Sequence, residues 1–274
     1  MIFRKRTIPD EEIMTLKEQR SMLGDQLNFA AAEAYKLLRA NLTFSLPDEQ
    51  KCRVVGVTSA VRGEGKSTTS INLAYTLAET GKRVLLVEAD MRRPQLAHRL
   101  AIDAAPGLSN LLAGLCREKD VVQDVGLLEN MKVITSGDVP PNPSELLGSE
   151  RMSTVVETLA QSFDFIIFDL PPVNAVSDGL VVSRFIQGMI VVVRQDYSDR
   201  QGLSAALRQL EYMHIKVLGF VMTHSSISGG RYGRYGRYGR YGQYGRYESE
   251  SRETGADQER ARKTGSAKSR KSKR

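Results

Sequence analysis

The strongest constraint on how this chain folds is an alternation. Six short apolar runs are separated by segments with helical spacing: CRVVGVT (Cys52–Thr58), RVLLVEA (Arg83–Ala89), MKVIT (Met131–Thr135), DFIIFDL (Asp164–Leu170), GMIVVVR (Gly188–Arg194) and KVLGFVM (Lys216–Met222). The runs are continuously apolar rather than alternating, as strands buried on both faces are. Between them lie patterns such as STTSINLAYTLAETG, which stops at Gly81 as a helix with a C′ glycine does. Strands of this kind alternating with helices predict an α/β fold, a doubly wound and mainly parallel sheet covered on both faces. FAAAEAYKLLRANLTF (Phe29–Phe44) is read as a further helix capped by Asn28.

After Met222 the apolar signal stops. The expected organisation is an N-terminal arm over 1–27, a folded domain over 28–228, a tyrosine-rich cluster over 229–247 and a basic disordered tail over 248–274. Charge divides the same way. From Gly229 onward there are 14 Lys and Arg against 5 Asp and Glu, a net of +9, which leaves −2 for residues 1–228. A uniformly basic surface suited to nucleic acid is thereby excluded. Cys52 and Cys116 stand far apart and only three histidines occur, so neither a disulfide framework nor a zinc signature is expected. No run approaches the ~20 apolar residues of a membrane span, and MIFRKRTIPDEE lacks the apolar core of a secretory signal. A cytoplasmic protein is expected, held at a membrane only through something else.

The first apolar run is followed by SAVRGEGKST (Ser59–Thr68), a P-loop with Ala60 in place of the usual first glycine. Gly63 and Gly65 let successive backbone N–H groups curl around phosphate oxygens, and the helix that begins near Ser67 adds its positive end. Lys66 can neutralise terminal phosphates and the Ser67 hydroxyl can hold Mg²⁺. Ala60, Gly63, Glu64, Gly65, Lys66, Ser67 and Thr68 are the candidate nucleotide-binding residues. The second run ends in VLLVEADMRRP, where alternate positions place Glu88 and Asp90 on one face. Read alone, that pair fits solvated acids capping the next helix equally well. Asp169 ends the run FIIFD, however, and ligands of doubly wound sheets bind at the carboxyl ends of strands. Three carboxylates are therefore expected to converge on the P-loop, with Arg92 beside them.

Together, SAVRGEGKSTTSINLA, VLLVEADMRRP and FIIFDLPP resemble the Walker A, A′ and B motifs of the bacterial tyrosine kinases, the autokinases of capsular and exopolysaccharide synthesis. SGDVPPNPSELLGS (Ser136–Ser149) is similar to another of that family's recurring segments, and the likeness runs from about Glu33 to Met222. The resemblance implies ATP and Mg²⁺ as cofactors, with Lys66, Ser67, Asp90 and Asp169 around them and the acid at 88 helping to activate a tyrosine hydroxyl. It also implies a transmembrane adaptor, a cognate tyrosine phosphatase and polysaccharide-pathway enzymes as partners, and a place on the inner face of the cell membrane. Two departures stand out: Glu88 where the family has Asp, and Arg62 where proline is frequent. Partition and cell-division ATPases share the superfamily, but they carry a second lysine five residues before the GK lysine, where this chain has Val61.

EAYKLLR (Glu33, Lys36, Arg39) resembles the helix through which family members assemble into rings, with Lys36 replacing the middle arginine. Positions i, i+3 and i+6 share a helix face, and a lysine lacks the arginine's bidentate fork. GRYGRYGRYGRYGQYGRYE (Gly230–Glu248) spaces Tyr232, Tyr235, Tyr238, Tyr241, Tyr244 and Tyr247 three apart. A period of three matches neither a strand nor a helix face, so the segment is built to be touched rather than buried. Phosphoacceptor tyrosines are the leading reading; an Arg/Gly/Tyr nucleic-acid binder and a plain linker are the others. Six phosphates would add roughly −9 to −12 and reverse the tail's charge.

Overall fold

All six apolar runs become strands of one seven-stranded sheet in the computed structural model, which describes residues 22–46 and 51–225. The tyrosine repeat, the basic end and residues 1–21 of the arm lie outside the described residues. The elements in chain order are α1 (Phe29–Ser45), β1 (Arg53–Ser59), α2 (Lys66–Ala78), β2 (Val84–Glu88), α3 (Leu96–Leu100), α4 (Leu108–Leu112), α5 (Glu118–Val121), β3 (Gln123–Asp124), β4 (Met131–Ile134), α6 (Pro143–Leu147), α7 (Glu150–Ser162), β5 (Phe165–Asp169), α8 (Asp178–Val182), β6 (Gly188–Arg194), α9 (Arg200–Tyr212) and β7 (Val217–Thr223).

Strand order is β3-β4-β2-β5-β1-β6-β7, and every pairing but β3 with β4 is parallel. The short antiparallel β3 has no counterpart in the sequence reading, because Gln123 and Asp124 carry no apolar signal. Successive strand residues feed opposite layers of core. Val54, Leu85, Ile166 and Val191 pack with α4, α7 and α9 on one face, while Val55, Leu86, Ile167 and Val192 pack with α1 and α2 on the other. That two-sided burial is the physical content of the continuous apolar runs. Each fully buried aliphatic among them stabilises the sheet by about 1.5–3 kcal/mol relative to exposure.

The helix limits match the sequence cues. Asn28 caps α1, its side chain accepting from Ala31 N–H at 2.9 Å. Beyond α2, Gly81 adopts φ +81° and its N–H reaches Ala78 O at 2.9 Å. Residues at the end of the segment read as an arm are seated on the domain. Leu23 is buried, Gly24 N–H donates to Asn72 Oδ1 at 2.9 Å, and Asn72 Nδ2 returns a bond to Met22 O at 2.8 Å. Among the described residues no helix is long and apolar enough to cross a membrane.

Candidate active site

β1, β2 and β5 end side by side, so the P-loop, the segment after β2 and Asp169 meet at the carboxyl ends of the central strands. Gly63 (φ +79°) and Gly65 (φ +96°) both take the left-handed backbone that turns the loop back onto α2. Glycine is required there on conformational grounds and on steric ones. A Cβ on Gly63 would stand 3.2 Å from Tyr197 Oη, and one on Gly65 3.2 Å from Thr223 Cγ2.

Asp169 lies on the α2 face, buried, and Ser70 Oγ donates to its Oδ1 at 3.0 Å. Burial pushes its carboxyl above the usual range, opposed by the Lys66 ammonium and by hydroxyl bonds from Ser67 and Ser70. Asp90 is likewise raised by burial and opposed by Lys66, with a further bond from Arg93 N–H at 3.2 Å. Lys66, Ser67, Asp90 and Asp169 thus share one electrostatic neighbourhood.

Glu88 departs from expectation. It pairs in register with Asp169 and is buried, yet both its oxygens are taken by backbone amides. Gln95 N–H and Leu96 N–H (2.7 Å) donate to Oε1, and Ser136 N–H (3.1 Å) donates to Oε2. Burial, aided by the nearby Asp169, nevertheless pushes its carboxyl up to about 7 against those three amides. Among the described residues no three His, Cys, Asp or Glu side chains come together to hold one ion. Asp90 and Asp169 share the Lys66 ammonium, whereas the oxygens of Glu88, beside Asp169, face amides. The longer Glu88 reaches past them to fasten the start of α3 and the loop after β4.

Arg92 and Glu64, both read as site residues, also hold structural contacts. Arg92 Nε and Nη2 grip Asp178 at 2.7 and 3.2 Å, and Ser144 Oγ also donates to that fully buried carboxylate. This ties the segment after β2 to α6 and α8, so SGDVPPNPSELLGS serves as a brace. Glu64 is buried inside the P-loop, accepting from Val61 N–H at 2.8 Å and from Ser198 Oγ, while Thr223 Oγ1 donates to its carbonyl at 2.7 Å. Arg194 adds a bond to Gly63 O at 3.1 Å. Sequence reasoning missed Arg194, Tyr197, Ser198 and Thr223, whose only signal was their place at or just past two strand ends. In the assembly motif, Lys36 meets Glu33 at 2.8 Å on the surface. Arg39 instead turns inward to Thr76 O at 2.6 Å and Thr76 Oγ1 at 3.1 Å.

Mg²⁺ is fitted by this donor set: oxygen ligands only, one hydroxyl and two carboxylates, leaving the remaining positions to water and phosphate. The chemistry that such a site supports is phosphoryl transfer.

The AAA domain family model matches residues 52–218. The tyrosine-protein kinase YwqD of Bacillus subtilis is 34% identical over 197 residues, covering 72% of this chain and 82% of that protein. The solved kinase domain of Escherichia coli tyrosine kinase ETK superposes with a TM-score of 0.69 at 30% identity, over 84% of this chain and 87% of that one. The chimerical protein CapA2B2 gives the same TM-score at 31% identity, over 75% and 89% of the two chains. A P-loop, two carboxylates facing its lysine and these relatives lead to one conclusion: the chain belongs to the bacterial tyrosine-protein kinases, built on an AAA domain.

Proposed function

We propose that the chain transfers the γ-phosphate of Mg·ATP to the tyrosines of its own C-terminal repeat, Tyr232 to Tyr247, in the same or a neighbouring copy. The observation that carries this reading is the shared end of β1, β2 and β5, where the P-loop with Lys66 meets Asp169 and the segment of Asp90, the lysine favouring the charged form of both acids. Bound there, Mg²⁺ would neutralise charge on the phosphates, held by Ser67, Asp90 and Asp169. In the transfer, the tyrosine Oη–Pγ bond forms, the bond from Pγ to the β,γ-bridging oxygen breaks, and the phenolic proton must leave. A phenol of pKa about 10 needs a carboxylate to take it. The Asp90 oxygen not turned to the metal is the acceptor we assign to that proton, since both Glu88 oxygens accept from backbone amides.

The +9 tail would lose or reverse its charge on phosphorylation, so the modified chain dissociates from partners that the unmodified one holds. We place the kinase at the inner face of the membrane through a transmembrane adaptor, in control of capsule or exopolysaccharide synthesis, assembling with itself through α1. A tyrosine phosphatase and polysaccharide-pathway enzymes complete the set of partners. These roles rest on the family resemblance.

Incubation with γ-labelled ATP tests the proposal in three proteins: the full chain, Lys66→Ala, and a chain ending at Gly229. Tyrosine label in the tail of the first, absent from the second, is the expected result. Release of free phosphate without tyrosine label overturns it.

A further inference from the structure

We propose that Arg99 is a second cation of the nucleotide-phosphate site, and that Glu88 is the positioning residue that holds it there. The proposal rests on the P-loop binding a nucleotide.

Arg99 stands in the last turn of α3, a helix of only five residues. Glu88 Oε1 receives both N–H groups at its start, from Gln95 and Leu96, and the turn closes with Ile102 N–H on Ala97 O at 3.1 Å. So short a helix, fastened at its first residues, has little freedom in where its last turn points. It points to the P-loop helix. Arg99 Nη1 donates to the hydroxyl of Thr68, two residues after Lys66, at 3.3 Å.

No carboxylate balances this guanidinium among the described residues, and its buried Nε has no hydrogen-bond partner. A buried, unpaired donor on a cation is costly. Arg99 is also the third positive source at the start of α2, beside Lys66 and the helix's own N-terminal dipole. Lys66 already has Asp90 and Asp169 beside it, whereas Arg99 has no acid among the described residues, and a diphosphate or triphosphate chain would supply the charge and the acceptors that Arg99 lacks. A planar guanidinium suits that geometry better than an ammonium.

Titration calorimetry with ADP, in excess Mg²⁺, tests the assignment on the full chain, on Arg99→Gln, Glu88→Ala and their double variant, and on Lys66→Ala. Each of the two single variants is expected to weaken ADP by about 10-fold or more, as for a lost charge-assisted hydrogen bond. Because Glu88 acts through Arg99, the double variant should lose no more than either alone. Arg99→Lys should recover only part of the affinity. The melting temperature of Arg99→Gln without nucleotide should be no lower than that of the unaltered chain, which a merely structural arginine would not allow. Arg99→Gln binding ADP normally while Lys66→Ala does not overturns the role of Arg99. Additive losses overturn the role of Glu88. If Lys66→Ala also binds normally, the nucleotide reading of the P-loop fails first.

Discussion

Ser70 Oγ donates to Asp169 Oδ1 at 3.0 Å, joining the first turns of the P-loop helix to the end of β5. The bond fixes the loop that cradles phosphate relative to the carboxylate that would hold the metal. Ser70→Ala removes one of the two hydroxyls that favour the ionised form of Asp169, whose carboxyl burial already pushes upward. The carboxyl should rise further and the affinity for Mg²⁺ should fall several-fold. The Mg²⁺ dependence of initial rate, compared across pH, measures this.

Arg92 and Asp178 form a bidentate pair in which the aspartate is fully buried. Arg92→Ala strands that carboxylate with the Ser144 hydroxyl alone. A loss on the order of 3 kcal/mol is expected, at the low end for breaking a buried pair, since Arg92 itself is 42% exposed. Urea unfolding gives the number. Near-normal stability with abolished transfer would show that Arg92 acts in chemistry and not as a brace.

The pH dependence of stability should carry the mark of Glu88. Its folded-state value of about 7 lies above the 4.5 of an ordinary glutamate, because burial disfavours the charge. The native state therefore binds the proton more tightly, and the contribution of Glu88 to stability is fully present below pH 4.5 and is lost as pH rises through 7. The whole effect is about 3 kcal/mol. Glu88→Gln should flatten the unfolding free energy across that interval relative to the parent.

Lys36 and Arg39 differ in what they contribute to the fold. The Lys36–Glu33 pair is half exposed on both sides, so Lys36→Ala should change monomer stability by less than ~0.5 kcal/mol. Arg39→Ala removes two bonds between α1 and α2 and should cost about 1–3 kcal/mol. Sedimentation analysis of Lys36→Ala then reports on self-association without a folding defect, and an unaltered assembly would remove Lys36 from any interface.

Most of the framework was legible in the sequence because it is written in one-dimensional signals. Apolar runs gave six of seven strands, GEGKS gave the phosphate loop, and Asn28 and Gly81 marked helix limits. What escaped depended on side-chain reach. Alternation along a strand put Glu88 beside Asp90, but nothing in the spacing says that one extra methylene lets Glu88 fasten the amides of Gln95, Leu96 and Ser136. Arg92 lay close to the motif and turned away to Asp178, a buried acid 86 residues later. Ser198 and Thr223 reach the P-loop from the other side of β1, a neighbour relation that only strand order reveals.

The Thr223 contact sets where the catalytic unit can be cut. Thr223 ends β7, and its hydroxyl holds the carbonyl of Glu64 while its methyl lies against Gly65. A protein shortened after Ser225 keeps the contact and loses only residues 226–274, the tyrosine repeat and the basic end among them. One shortened a few residues earlier loses the edge strand and one of the anchors of the phosphate loop together. Its inactivity would then be mistaken for a requirement for the tyrosines, so the boundary at Thr223 decides whether a truncation experiment reports on substrate or on enzyme.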